Sequence, residues 1–265
     1  MQKSLNIAQM PHYCKTLVRR SVLFHDDCFN ILSSIENESV DLIICDLPYG
    51  TTNLKWDSIL PLENLWFEYK RVIKKNGAII LFGSQPFTSK LILSNLSMFK
   101  YEIIWEKTMP TGMAQASYMP MKYHENILVF YKNKPTYNKI MAKRNPNWDR
   151  AKYKMQGSSH KSNHVNIGKQ EAKQYDPELV NPKSVVKFGS VPNSNGKLHP
   201  TQKPLSLLEY LVATYSNEND IVLDNCMGSN TTGLACQRLN RQFIGIEKEK
   251  AYYDISVKRL SETLF

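Results

Sequence analysis

No apolar run in this chain approaches the roughly 20 residues that a membrane-spanning helix requires. Residues 1–20 contain no continuous hydrophobic segment of signal-peptide type. Cysteine is sparse. Cys14, Cys28, Cys45, Cys226 and Cys236 are odd in number and form no C-x-x-C pair, which argues against a disulfide framework and against a zinc site. Reduced thiols in a cytoplasmic protein with no resident metal are therefore expected. No internal repeat is visible. The 265 residues, 42% hydrophobic and 22% charged, suffice for a large core. One α/β domain, or one domain with a sizeable insertion, fits this size.

Basic residues outnumber acidic ones most heavily in one segment. Between Lys132 and Pro200 there are 14 Lys and Arg against 4 Asp and Glu, which accounts for the whole net charge of +10. The rest of the chain is neutral. A neutral body with one basic segment points to a polyanionic partner, nucleic acid before an anionic membrane surface. A merely solvated insertion would carry the same charge. The segment is also rich in Asn, Ser, Gln and Pro, and holds Tyr137, Trp148, Tyr153 and Tyr175 among its basic residues. Aromatic side chains stack on bases while Lys and Arg meet phosphates, and a disordered linker is poorer in aromatics.

Outside this segment, strand and helix patterns alternate. Val22–Phe24, Ser39–Cys45 and Ala78–Phe82 read as buried strands, followed by Tyr101–Trp105 and Glu125–Tyr131. A helix from Pro61 places Leu62, Leu65, Trp66, Tyr69, Val72 and Ile73 on one face, with Asn76-Gly77 expected to end it. Further strands are expected at Ile221–Leu223 and Phe243–Ile246, with helices over 205–215, 231–239 and the C-terminal segment. Such alternation predicts an α/β fold with a doubly wound, mostly parallel sheet and a basic insertion. The boundaries drawn are an arm over 1–21, a main domain over 22–131 and 196–265, and the insertion over 132–195.

Two stretches carry chemistry. Asp46-Leu47-Pro48-Tyr49-Gly50 directly follows a buried strand, at the carboxyl edge where open α/β sheets bind ligands. An aromatic amine is a poor nucleophile because its lone pair is delocalised into the ring. Acceptors on both N–H bonds favour a tetrahedral nitrogen with a usable lone pair. The Asp46 carboxylate and the Leu47 carbonyl suit those two roles, Pro48 stiffens the turn, and Tyr49 can stack on the base. The second stretch runs from Asp224, at a strand end, to Glu247, at the next. Gly228 and Ser229 let backbone N–H groups approach a ligand at a helix N-terminus. Glu247 lies near the ~20-residue offset at which a carboxylate meets ribose hydroxyls. On these residues alone, a plain βαβ turn accounts for the second stretch equally well.

Taken together, the motifs resemble those of amino-group DNA methyltransferases, specifically the adenine-N6 group of the permuted β-class order. Phe24-His25-Asp26-Asp27-Cys28 resembles the family's opening G-D-C, with Asp26 where glycine is usual. Ser39-Val40-Asp41-Leu42-Ile43 and Asp46-Leu47-Pro48-Tyr49 resemble its S-V-D-L-I…D-P-P-Y. His199-Pro200-Thr201-Gln202-Lys203-Pro204 matches its H-P-T-Q-K-P, and Asp224–Thr232 corresponds to its D-P-F-x-G-x-G-T-T loop. The resemblance covers roughly 22–131 and 199–260.

It implies a permuted Rossmann-like methyltransferase fold and S-adenosylmethionine as methyl donor. Asp46, Leu47, Pro48 and Tyr49 would hold and activate the target adenine. Asp27 and Cys28 would lie near the cofactor's adenine and Glu247 near its ribose. His199, Thr201 and Lys203 would surround its remaining parts, with Lys203 on the methionine carboxylate. Asp224, Gly228, Ser229, Asn230 and Thr231 would form the cofactor loop, and Asp46 would border the cofactor too. The implied partners are double-stranded DNA and, since dimers are frequent in the family, a second copy of the chain, with no membrane. A restriction–modification setting is implied, with 132–195 as the target-recognition region. The rivals are the same chemistry on cytosine N4 or RNA, and a DNA-binding protein whose methyltransferase site has decayed. Aspartate at 46, where cytosine enzymes usually carry serine, favours adenine; the Asn225–Asn230 departures motivate the decayed site.

Overall fold

Val40–Cys45 forms β3, and from Leu42 onward, after a register shift at Val40, its side chains alternate between two apolar layers, as a strand covered on both faces requires. Val40, Ile43 and Cys45 pack on one side with Leu65, Trp66 and Tyr69, while Leu42 and Ile44 pack on the other with Leu207, Leu211 and Leu234. The computed structural model describes residues 15–50, 57–144, 178–191, 198 and 201–262.

Among the described residues the strands are β1 (Lys15–Val18), β2 (Ser21–His25), β3, β4 (Ile73–Gly83), β5 (Phe99–Thr111), β6 (Lys122–Phe130), β7 (Ala142–Lys143), β8 (Leu179–Val180), β9 (Val185–Phe188), β10 (Ile221–Asp224) and β11 (Gln242–Glu247). The α-helices are α1 (Cys28–Leu32), α2 (Leu62–Val72), α3 (Phe87–Ser94), α4 (Leu205–Tyr215), α5 (Thr231–Arg238) and α6 (Lys250–Glu262). Nine strands form one sheet in the order β1-β2-β11-β10-β3-β4-β6-β5-β9. Its centre, β2 through β4, is parallel; β1 and β6 join antiparallel, and β5 pairs antiparallel with β6. Helices α1 to α3 cover one face and α4 to α6 the other, so the sheet is doubly wound.

The connections set the position of the site. From β3 the chain passes through α2 to β4 on one side; from β10 it passes through α5 to β11 on the other. β3 and β10 are neighbours, in register Val222↔Leu42 and Leu223↔Ile43. The chain therefore reverses direction between them, and the crevice outside their carboxyl ends is where such a sheet binds ligands.

Two expectations change. The helix from Pro61 stops at Val72, and Asn76-Gly77 lies inside β4 instead of capping it. Ile73 turns the chain to extended geometry (φ −71°, ψ 135°), and its β-branch suits the strand. Gly77 serves a close approach: a Cβ there would sit 2.9 Å from the Asp41 carbonyl and closer still to the Ile73 side chain. At the other boundary, Val185–Phe188 is an edge strand of the main sheet, paired in parallel with β5. A separate compact unit spans Lys139–Lys183 and is held in its described part by β7–β8 pairing and by Arg144 N–H donating to Glu178 O at 2.6 Å. Trp148, Tyr153, Tyr175 and the loop 51–56 lie outside the described residues.

Gly77→Ala is expected to destabilise the protein by about 1–3 kcal/mol through overpacking. Urea unfolding of the two forms measures this, and equal midpoints would refute the close-approach explanation.

Candidate active site

Five parallel strands end on one edge, at His25, Glu247, Asp224, Cys45 and Gly83. The residues just beyond these ends line one cavity of about 250 Å³. Asp27 and Cys28 come from the β2–α1 turn, Asp46 to Tyr49 follow β3, and Thr201 and Lys203 precede α4. Asp224, Gly228, Ser229 and Thr231 come from the β10–α5 loop, and Glu247 ends β11. His199 lies outside the described residues. Asn230 does not reach the cavity. It is fully buried, holds left-handed geometry (φ 62°, ψ 45°), and caps α5 by accepting the Gly233 N–H at 3.0 Å.

The loop that departs most from the family pattern is a closed, well-bonded turn. The Tyr69 hydroxyl donates to Asn225 Oδ1 at 2.5 Å, tying the loop to α2. Met227 N–H donates to Ile246 O at 3.0 Å, and Asn230 N–H to Met227 O at 2.7 Å. Gly228 has φ +52°. Its N–H donates to Glu247 Oε2 at 2.9 Å, so this donor is spent on the protein and is not aimed at a ligand as expected. Glu247 Oε1 accepts the Glu249 N–H at 2.8 Å. Burial lifts the Glu247 proton affinity despite these two bonds. Its remaining lone pairs stay suited to hydroxyl donors.

The Asp46 turn is more tightly held. Asp46 Oδ1 accepts the Tyr49 hydroxyl at 2.7 Å, and Oδ2 meets Lys203 Nζ at 2.5 Å. Lys203 Nζ also lies 3.3 Å from Glu125 Oε2. The family resemblance puts Lys203 on a cofactor carboxylate, but its charge is already balanced by two carboxylates of this chain. Burial disfavours its ammonium, yet Asp46 and Glu125 outweigh burial and raise its pKa above the ordinary lysine value. Asp46 itself is shifted upward by burial, against the Lys203 attraction. The Tyr49 ring stacks on Phe87, centroids 5.2 Å apart at 24°, so one face is covered by protein. Leu47 is buried, and its side chain fills the core next to the turn.

Among the described residues, seven carboxylates (Asp26, Asp27, Asp46, Asp57, Asp224, Glu247 and Glu249) but only two ammonium groups (Lys203 and Lys248) line the cavity. Apolar walls come from Leu60, Phe82, Leu208 and Met227. An acidic, partly apolar cavity fits a nucleoside that carries positive charge and ribose hydroxyls, which is the chemistry of S-adenosylmethionine. Sequence reasoning did not single out Glu125, Lys107 or Lys248, and noted Asp26 only where the family motif usually has glycine. Glu125 lies within β6, beside β4, a placement that only the strand pairing reveals.

A doubly wound sheet with an acidic cavity at its reversal point fits the class of S-adenosylmethionine-dependent methyltransferases, to which the similar solved structures belong. The family model described as DNA methylase matches residues 40–258. The Type II methyltransferase M.HpaI of Haemophilus parainfluenzae is 33% identical over 255 residues, covering 90% of this chain and 73% of its own. DNA adenine methyltransferase YhdJ of Escherichia coli (strain K12) is 30% identical, covering 90% and 82%. The solved M1.HpyAVI–SAM complex superposes with a TM-score of 0.59 at 29% identity, covering 90% of this chain and 98% of that one. This chain belongs to the DNA methylase family.

Asp224 gives a stability test. Burial pushes its carboxyl up to about 7, although Thr232 Oγ1 and the Cys226 N–H donate to it at 2.7 and 3.1 Å. Its folded pKa exceeds the unfolded value of about 3.9, so the folded state binds this proton more tightly. That contribution is complete below about pH 4 and is lost as pH rises through about 7. Asp224→Asn should therefore gain stability relative to wild type between pH 5 and pH 8, by at most about 1.4 kcal/mol per pH unit. Urea unfolding at both pH values reads the difference, and parallel pH dependences would exclude the shift.

Proposed function

We propose that this enzyme is a site-specific DNA methyltransferase that methylates the N6 amine of an adenine flipped out of double-stranded DNA. The observation that carries this reading is the Asp46 carboxylate at the cavity wall, held by Tyr49 and Lys203 beside a rigid Leu47-Pro48 turn. Extrusion of the base costs about a few kcal/mol and exposes its amine. Asp46 and the Leu47 carbonyl accept the two N–H bonds and favour the tetrahedral nitrogen. The Tyr49 ring, which lines the cavity and is backed by Phe87, borders the ring of the base. The bound cofactor supplies an electrophilic methyl group. Asp46, whose proton affinity burial raises, then accepts the proton that the nitrogen must lose. Positioning supplies the catalysis, and no protein nucleophile is needed.

In the same reading Asp27 and Cys28 border the cofactor's adenine, and Glu247 receives its ribose. Thr201, Gly228, Ser229 and Thr231 surround its remaining parts, a role that the family resemblance also gives to His199. The closed turn around Asn225 and Asn230 supports an active cofactor site over a decayed one. Aspartate at 46 and the adenine methyltransferase among the relatives favour adenine over cytosine N4. The segment 132–195 acts in target recognition. A cytoplasmic homodimer within a restriction–modification setting completes the reading.

Incubation with unmethylated genomic DNA and labelled S-adenosylmethionine, followed by mass spectrometry of nucleosides, should yield N6-methyladenine. N4-methylcytosine as sole product would sink the adenine assignment. Asp46→Ala should slow transfer at least about a hundredfold, with cofactor affinity changed by only a modest factor. Neutralising several lysines between Lys139 and Lys187 should weaken DNA binding and flatten its salt dependence, by about 0.9 in slope for each phosphate no longer neutralised. An unchanged salt slope would remove this segment from the DNA-facing surface.

A further inference from the structure

Behind Asp46 runs an alternating row of charges drawn from four parts of the chain. Lys107 on β5 lies 3.2 Å from Glu125 Oε1 on β6; Glu125 Oε2 lies 3.3 Å from Lys203 Nζ; Lys203 Nζ lies 2.5 Å from Asp46 Oδ2 after β3. Both lysines are almost wholly buried, at 5% and 9% exposure. A buried ammonium that loses its partner is strongly disfavoured, so whatever displaces Lys203 from Asp46 must leave it another anion.

The two contacts of Lys203 are unequal. The one to Asp46 is a hydrogen bond. The one to Glu125 is longer, at 3.3 Å, and poorly aligned for a hydrogen bond, so the buried Glu125 Oε2 is only weakly engaged by the ammonium. Glu125 Oε1, by contrast, accepts from Lys107, which also donates to Thr111 Oγ1 at 3.3 Å. One carboxylate oxygen is thus anchored by Lys107, and the other is held only loosely by an ammonium whose shorter contact is to Asp46. Lys203 is also close to the Phe82 ring, 5.0 Å from its centroid, which limits the directions its side chain can take.

We propose that Glu125 is a positioning residue that takes over the Lys203 ammonium when the substrate amine engages Asp46. The inference rests on the amine-methylation reading above and adds a residue to it. With the base absent, Lys203 closes its hydrogen bond to Asp46 and keeps that carboxylate ionised. With the amine at Asp46, Lys203 turns fully onto the loosely held Oε2 of Glu125, and no buried charge is left alone. Lys107 holds Glu125 in place for this exchange.

Removal of the Glu125 charge acts on Asp46 in a defined direction. Asp46 faces Tyr49, Lys203, Glu125, Cys45 and the carboxyl of Asp224; Glu125 in turn faces Lys203, Lys107 and Lys122. The negative charge of Glu125 raises the Asp46 proton affinity, and it draws Lys203 away from Asp46. Without it, Lys203 pairs with Asp46 alone, Asp46 ionises more readily, and the amine must compete with a dedicated ion pair.

The test compares wild type, Glu125→Gln and Glu125→Asp in methyl transfer to unmethylated genomic DNA across pH 5 to 9, with cofactor binding measured separately. In Glu125→Gln, kcat should fall about tenfold while cofactor affinity stays near wild type. The acid limb of its pH profile should move to lower pH by about half a unit or more. Glu125→Asp retains the charge on a shorter arm and should keep the acid limb in place with a partial loss of kcat. An acid limb of Glu125→Gln that coincides with wild type overturns the proposal, whatever the rate. If Glu125→Gln does not fold, a shifted acid limb in Glu125→Asp overturns it, and an unshifted limb with reduced kcat supports it. Lack of any methylated nucleoside from the wild-type protein would instead overturn the functional reading on which the proposal rests.

Discussion

The pairing of β3 with β10 joins stretches about 180 residues apart and makes the rest of the site possible. Asp41, at the start of β3, secures it: its Oδ2 accepts the Ile221 N–H at 2.9 Å and Lys74 Nζ at 2.6 Å. Three neighbouring strands are thereby fixed at their amino ends. Their carboxyl ends then carry Asp46 and Asp224 into one crevice, because the strands run parallel and stay in register from Leu42 onward. A slip of one residue would reverse the faces of β3 and turn Asp46 out of the cavity.

The site spends stability on charge. Burial opposes ionisation of Asp46, Asp224 and Glu247, and each carboxylate is held by a different remedy. Glu247 accepts two backbone N–H groups, Asp224 accepts a hydroxyl and a backbone N–H, and Asp46 has a tyrosine hydroxyl and a lysine. The differences match their proposed tasks. A carboxylate that only receives ribose hydroxyls can rest on fixed backbone donors. One that must release its partner to a substrate needs a donor that can move, and Lys203 is a long side chain between two anions.

Much of this was legible beforehand. Apolar runs such as Val40–Cys45 mark buried strands because both faces are covered, and the acids that end them mark the ligand edge. The order of D-L-P-Y, H-P-T-Q-K-P and the Asp224 loop carried the family. Local rules failed where a close tertiary approach overrode them. Asn76-Gly77 has the look of a helix cap, but Gly77 lies in a strand because the backbone of β3 comes too near for a side chain. Asn230 stands where a ligand-facing glycine is usual, and takes the left-handed geometry while turning its side chain inward to cap α5. Val185–Phe188 sits next to a polar, basic segment whose composition hides a sheet edge.

By itself, then, the sequence determined the α/β class, the basic segment and the identity of the acids at the strand ends, since these depend on residue type and on spacing along one strand or helix. Only the tertiary structure decided which charges face each other. Lysine at 203 reads as a natural partner for a carboxylate of the cofactor; that its partners are Asp46 and Glu125 follows from strand pairing and burial across more than 70 residues. Electrostatic partners are chosen by distance and desolvation, and neither quantity is written in local sequence.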